Sequence, residues 1–294
     1  MRNKHLKGKM GQVVLHFFFS TLCLAYILPL ILVISVSLEG NKGAGFKLIP
    51  DEFSLGAYEM IFANPKMVLD AYKTTIFYSV VGTLASLFVM AMLAYALSRR
   101  EFKLRNIFTF VLFFTTLFSG GMVPSYILNT RYLGIGNTIW IYILPGMVSA
   151  WNVIVIRTYF QGLPKELFES ARLDGASELG ICFRIAVPLS TPVLASVGFL
   201  KFIAAWNNWN TSQIYIKKPE LRSLQYLLQQ IMNDMHMLEQ MMEQGVVSGA
   251  EEMLSNLEAM RFAMVVVAAG PAMLIFPFFQ KYFAKGMTIG SVKG

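Results

Sequence analysis

Charge is scarce in this sequence. Only 14% of its 294 residues are Asp, Glu, Lys or Arg, while 55% are hydrophobic. A soluble domain carries about 25% charged residues, so this chain has too little polar surface to cover a globule in water and falls in the membrane class. The three histidines (His5, His16, His236) are scattered and offer no metal-ligand spacing. The two cysteines, Cys23 and Cys182, lie on different elements and suggest no disulfide framework. No glycine loop is followed by Lys-Ser or Lys-Thr, so no nucleotide site, cofactor or ATPase activity of its own is expected. The net charge of +8 gathers in no basic patch on a soluble domain, which argues against a nucleic-acid partner.

What the chain has instead is apolar runs. Six are visible, near 13–38, 74–98, 106–128, 138–160, 189–212 and 262–283, each 22 to 26 residues long. A bilayer core needs about 20 helical residues. Backbone polar groups in lipid must be satisfied internally, which leaves helices or a closed barrel. Barrel strands alternate in character, and runs such as LASLFVMAMLAYAL do not. The expected fold is an all-α membrane protein with six transmembrane helices in a single domain over 1–294. The first run follows a basic N-terminus, as a signal peptide would, but its length and the lack of a small-x-small site point to a retained span.

Lysine and arginine concentrate on the cytoplasmic side of a membrane protein. With the N-terminus inside, the inner segments 1–12, 99–105, 157–188 and 281–294 hold 15 basic and 5 acidic residues, and the outer segments 39–73, 129–137 and 213–261 hold 9 and 12. Both termini are therefore expected in the cytoplasm. In the outer loop 213–261, apolar residues at 224, 227, 228, 231, 235, 238 and 242 have helical spacing. They predict an amphipathic helix, packed on the protein's own outer surface or, alternatively, in contact with a partner. The polar stretch 243–258 receives no assignment.

The inner loop 161–188 is longer than a connection requires. Pro164 suits the first turn of a helix running to about Asp174. Gly175 fits the left-handed position after a helix end. Ser177 can cap a second helix running to about Val187, which Pro188 stops. Leu163, Leu167, Phe168 and Ala171 form an apolar stripe on the first helix, with Lys165, Glu166, Glu169 and Arg172 around it. A compact helix–glycine–helix unit with such a stripe is suited to docking into a groove on a soluble partner.

Glu169-x-Ala171, Asp174-Gly175-Ala176 and Pro188-Leu189 together resemble the cytoplasmic signature of permease subunits in bacterial binding-protein-dependent ABC importers. Ser170 stands where that signature has a second alanine, and Cys182 where it has a phenylalanine, with Phe183 following. The segments SGGMVPSYIL (119–128), LPGMVSAWN (144–152), AWNNWN (205–210), SLQYLLQQIM (223–232) and FPFFQKYFAKGMTIGSVKG (276–294) are similar to the maltose-type carbohydrate permeases, in their complex-oligosaccharide branch. The resemblance implies a MetI-like permease fold in the bacterial cytoplasmic membrane. It implies a heterodimer with a second permease subunit, two copies of a cytosolic ATPase, and an extracellular solute-binding protein or lipoprotein that delivers a carbohydrate. Loop 161–188 would be the coupling loop. Glu166, Glu169, Ala171, Asp174, Gly175, Ala176 and Pro188 would transmit closure of the ATPase pair to the fifth span.

That fifth run is the least lipid-like. Lys201 sits near its middle, where a charge is costly and usually faces a polar cavity or a partner. Trp206, Asn207 and Asn208 follow, and a continuous helix would put Lys201 and Asn208 on one face. Asparagine can bond sugar hydroxyls, and tryptophan offers a flat apolar face. The same residues also serve as interface anchors and interhelical bonds. Asn152 with Trp151, and Ser119 with Thr115 and Thr116, are further candidates for the path. Prolines within the runs are expected at kinks. An ion-coupled secondary transporter of a small polar solute is the alternative, but no Asp or Glu lies in any run to couple a proton or ion. A membrane-bound enzyme would need a catalytic cluster, and none is visible.

Overall fold

The computed structural model describes residues 2–40, 47–246 and 250–289. Residues 290–294, the end of the last matching segment, and 247–249 in the unassigned polar stretch lie outside them. Among the described residues all regular structure is helical, apart from one isolated bridge between Glu39 and Phe53. In chain order the first helices are α1 (Arg2–Ser37), α2 (Gly56–Ile61), α3 (Pro65–Ser98), α4 (Arg105–Leu117), α5 (Met122–Ile127), α6 (Ala150–Gln161) and α7 (Lys165–Leu173). They are followed by α8 (Glu178–Ile181), α9 (Val187–Leu189), α10 (Thr191–Trp206), α11 (Asn210–Tyr215), α12 (Leu224–Glu243) and α13 (Glu251–Ile289).

The chain divides into two units. The first comprises Met1–Pro65 and Leu228–Gly270. Its helix α1 has a stretch, Val14–Ser37, with mean hydropathy 2.5 and no buried residue in its most apolar window. An apolar helical window that its own chain leaves uncovered belongs in lipid or against another subunit. The end of α1 is tied to α2 by a 2.8 Å hydrogen bond between the Ser37 and Tyr58 hydroxyls. The helix expected in the outer loop is α12. It ends where Gly245 adopts φ +69° and donates to the Met242 carbonyl while Val246 donates to that of Met241. Both bonds satisfy carbonyls that a helix end leaves without partners. The unassigned polar stretch supplies the start of α13, which carries Pro271 and Pro277 within it.

The second unit comprises Lys66–Leu227 and Pro271–Gly294. Its core is built by α3, α6, α10 and the segment between α7 and α10, with Met90, Ala94, Val153, Ile156, Ile181 and Ala186 among its buried members. Gly198 lets α10 approach closely: a Cβ there would stand 2.8 Å from Leu87 Cδ1 of α3.

The helices do not follow all the apolar runs. Among the described residues three long helices have the length and composition to cross a membrane, at Val14–Ser37, Pro65–Ser98 and Met253–Gln280. The run 106–128 breaks after Leu117, where Phe118 is extended and Gly121 takes φ +84°; the two pieces meet at 115°. The run 138–160 begins as a 3-10 turn (Ile139–Tyr142) and becomes an α-helix only at Ala150, after Pro145 and Gly146. The run 189–212 stops at Trp206 and restarts at Asn210. Hydropathy registers apolar side chains. It is blind to Ser-Gly-Gly, Leu-Pro-Gly and Asn-Asn, which favour turns by their backbone preferences.

Candidate functional site

The inner loop folds as a helix, a bend and a second helical stretch. Helix α7 carries Glu166 in its first turn and Arg172 in its last, which suits the helix dipole. Pro164 precedes α7 as its cap rather than occupying its first turn. At the other end Gly175 has φ +77°. Its N–H donates to Arg172 O at 3.0 Å, and that of Ala176 donates to Ala171 O at 2.9 Å. These are the two bonds of a Schellman ending, and they give the spacing Ala171…Asp174-Gly175-Ala176 a physical cause. Ser177 then caps α8, its hydroxyl accepting from Gly180 N at 3.2 Å.

Two features depart from the sequence expectation. The second helical stretch does not stop at Pro188; it runs through a wide π turn at Cys182–Ala186 and on to Leu189. A π turn already leaves the ordinary hydrogen-bond ladder, so a residue without an N–H costs little just after it. The break falls instead at Ser190, with an 81° bend before α10. The apolar stripe of α7 is also largely consumed within the chain. Phe168 is buried, and Leu163 and Ala171 pack against the same core. Leu167 and Leu173 stay exposed, as do Glu166, Glu169, Asp174, Gly175, Ala176 and Pro188.

The bend is held by a cluster that spacing alone did not reveal. Arg172 donates from Nη1 to Glu101 at 3.0 Å and from Nε to Glu178 at 2.8 Å. The Tyr95 hydroxyl donates to the other Glu178 oxygen at 2.7 Å. The Arg99 guanidinium lies 3.7 Å from the centre of the Phe168 ring and 4.3 Å from that of Tyr95. Both helices of the bend are thereby fastened to the end of α3. The run RREFKLR at 99–105 was the available signal, but its partners are 60 to 80 residues away.

The electrostatics follow. The Glu101 backbone N–H and the Arg172 guanidinium hold the Glu101 carboxyl below the ordinary 4.5. At Glu178 burial is the largest influence and acts upward, but hydrogen bonds from Tyr95 and Arg172, with the nearby charges of Arg172 and Arg99, bring its carboxyl below 4.5 as well. A carboxyl with a lower value folded than unfolded stabilises the fold above the unfolded value, and the contribution is lost as pH falls through the folded one. Both pairs are partly exposed, so each is worth about 1 kcal/mol or less. Arg172→Ala is therefore expected to destabilise the purified protein by about 1 kcal/mol at neutral pH, read as a lower thermal midpoint in detergent. The gap between variant and wild type should close on acidification below 4.5. A gap that persists there would mean that packing, not charge, holds Arg172.

Around α10 the candidate path residues separate. Lys201 is half-buried, and its ammonium donates to the Gly146 carbonyl in the irregular segment before α6. Trp206 is 1% exposed and packs near Phe202, with ring centres 5.7 Å apart. Asn208 lies beyond the end of α10, so it does not share a helix face with Lys201. Its side chain bonds Thr211 twice, to the hydroxyl at 2.9 Å and from the backbone N–H at 3.1 Å. Asn207 is exposed and accepts from Gln225 at 3.2 Å. Asn152 is half-buried on α6, with Trp151 beside it exposed. Thr115 and Thr116 bond back to carbonyls of α4, and Ser119 accepts from Gly121 N.

Much of AWNNWN and SLQYLL serves a buried polar network. The Ser223 hydroxyl is 3.0 Å from both Asn208 O and Ser212 Oγ. Tyr142 meets Ser212 at 2.5 Å, donates to Leu221 O at 2.8 Å, and stacks on Tyr78 with ring centres 4.3 Å apart. Thr75 of α3 accepts from Leu224 N at 2.9 Å. Such a network fixes irregular backbone by satisfying its polar groups.

Long apolar helices define an integral membrane protein. The chain belongs to the family of binding-protein-dependent transport system inner membrane components, whose pattern matches residues 17–289. It is 36% identical to the polygalacturonan/rhamnogalacturonan transport system permease protein YtcP of Bacillus subtilis strain 168, over 98% of this chain and 100% of that one. It is 30% identical to the arabinooligosaccharides transport system permease protein AraQ of the same organism, over 96% of each. Among solved structures it resembles a chain of a bacterial ABC transporter involved in the import of the acidic polysaccharide alginate. The TM-score is 0.78 and the identity 29%, over 96% of this chain and 98% of that one.

Proposed function

We propose that this chain is one of two different permease subunits of an ABC importer that carries an acidic, uronic-acid oligosaccharide into the cytoplasm. ATP is hydrolysed on separate subunits. The observation that carries the acidic substrate is Lys201, the one charged residue of α10, half-buried beside the broken segment at Gly146. An ammonium has three donors, and Gly146 uses one. Relatives named for polygalacturonan and for alginate agree with a carboxylate-bearing sugar. Lys201, Asn207 and Asn152 are the residues we assign to the path, whereas Trp206 and Asn208 support its wall.

The broken backbone supports a second permease. The break at 118–121 lies in an apolar run and is exposed. Non-helical backbone at membrane depth is tolerated only against protein or a water-filled cavity, and broken spans commonly line a substrate path. With Arg105–Leu117 and Met122–Tyr132 taken as one crossing, and α6 and α10 as one each, the count is six and both termini lie on one side, which the basic excess of the inner segments assigns to the cytoplasm. The exposed edge of 161–188, from Glu166 through Gly175 to Pro188, then faces the ATPase as the coupling loop, and a solute-binding protein delivers sugar from outside.

Reconstitution of this chain with a second permease, the ATPase and the binding protein is expected to give vanadate-sensitive uptake of an oligogalacturonide into liposomes. Uptake that needs no second permease, or that ignores vanadate and collapses with the proton gradient, would overturn the proposal.

A further inference from the structure

A cleft of about 720 Å³ opens between the end of α3, the start of α4, the end of α6 and α7. Its wall carries six cations, Arg99, Arg100, Arg105, Arg157, Lys165 and Arg172, against two carboxylates, Glu101 and Glu169. Glu101 is already engaged by Arg172. Arg157 reaches Thr109, a neutral partner, at 3.1 Å. The Nε atoms of Arg99 and Arg157 are buried without a partner in the chain. Helix α4 begins in the same wall, with no side-chain cap and no acidic residue in its first turn. Its N-terminus therefore adds partial positive charge to the cations. Like charges gathered in one cleft repel one another, and buried donors without acceptors cost free energy. An anion with several oxygens in the cleft relieves that repulsion.

A second hollow, of about 370 Å³, shares Arg99, Glu101 and Arg172 with the cleft and is otherwise mainly apolar, with Met92, Ala96, Phe102 and Leu179 in its wall. Beside the cleft, α4 turns Ile107, Phe110 and Val111 outward. A cationic cleft thus adjoins an apolar hollow and an apolar helix face. That combination fits an amphiphile with a negatively charged head.

We propose that the cleft binds the phosphate headgroup of an anionic membrane phospholipid, with an acyl chain along the adjoining apolar surface. Arg100 and Arg105 are the contacts open to test, since neither forms an ion pair or a stacking contact among the described residues. Binding at this position would brace α7 and the bend at Gly175 against α3 and α4.

The test uses the full chain purified with its partner subunits in nanodiscs of phosphatidylcholine with a minor fraction of phosphatidylglycerol. Phospholipid retained after transfer to detergent is read by native mass spectrometry. The wild type should retain phosphatidylglycerol in preference to phosphatidylcholine. Arg100→Gln with Arg105→Gln should retain about tenfold less, the loss expected for charge-assisted bonds of about 1.4 kcal/mol in total. Lys103→Gln, in the same loop but outside the cleft wall, should behave as wild type, and Arg105→Lys checks that loss of charge rather than of folding is measured. Equal retention by wild type and the double variant would overturn the proposal. So would displacement by millimolar inorganic phosphate as readily as by added phosphatidylglycerol, which would make the ligand a free anion. Retention confined to preparations stripped of the ATPase would overturn it too, because the ATPase would then be the occupant. None of these readings requires transport, so failure here is separate from failure of the proposed function.

Discussion

Gly175→Val is expected to reach the membrane at the wild-type level and to transport at background rates while the ATPase keeps hydrolysing. Gly175 sits at φ +77°, and a Cβ there would meet nothing within 4 Å. The substitution therefore creates no clash and acts only through the backbone. A β-branched residue in the left-handed region costs about 1–3 kcal/mol. The cheapest escape is to rotate the residue out of that region, which breaks the bonds from Gly175 N to Arg172 O and from Ala176 N to Ala171 O. The exposed edge carrying Asp174, Gly175 and Ala176 would then be redirected while the core beneath it, centred on Phe168, stays packed. On the proposed coupling role, hydrolysis and uptake separate. Gly175→Asn is the companion variant, because asparagine tolerates positive φ, and it should keep most of the uptake. Wild-type transport by the valine variant would remove the bend from the coupling mechanism. Loss of the protein from the membrane would assign Gly175 to folding instead.

The second large effect is expected at Lys201. Lys201→Met should lower uptake of an oligogalacturonide by about tenfold or more, the loss of a charge-assisted hydrogen bond of about 1.5–3 kcal/mol. Uptake of its methyl ester, which has the same skeleton without the charge, should change little. Membrane abundance must be matched, because removing a half-buried charge can stabilise a fold. The Gly146 carbonyl loses its partner in the variant, so Lys201→Arg, which retains charge and donors, serves as the control for that loss. Equal loss of both sugars would make Lys201 a strut for the segment between Ile143 and Ala150. Unchanged uptake of the acidic sugar would dismiss the substrate charge altogether.

What the sequence determined by itself is what depends on neighbours in the chain. Composition and run length place the protein in the membrane, because the free energy of transferring apolar residues is additive along a helix. The bend at Gly175, the Ser177 cap and the helix Leu224–Glu243 were legible because a Schellman ending, an N-cap and a 3.6-residue period each involve residues a few positions apart. Tertiary structure decided the rest. Phe168 turns from the partner-facing stripe into the chain's own core because the end of α3 offers it Arg99 and apolar neighbours. Tyr142, Ser212 and Ser223, from three separate segments, meet beside the Asn208 carbonyl and organise the corner that follows α10. Arg172 meets Glu101 across 71 positions, and Lys201 meets Gly146 across 55. Pairings of that separation are set by which helices pack together, and packing depends on the shapes of faces that no local window contains.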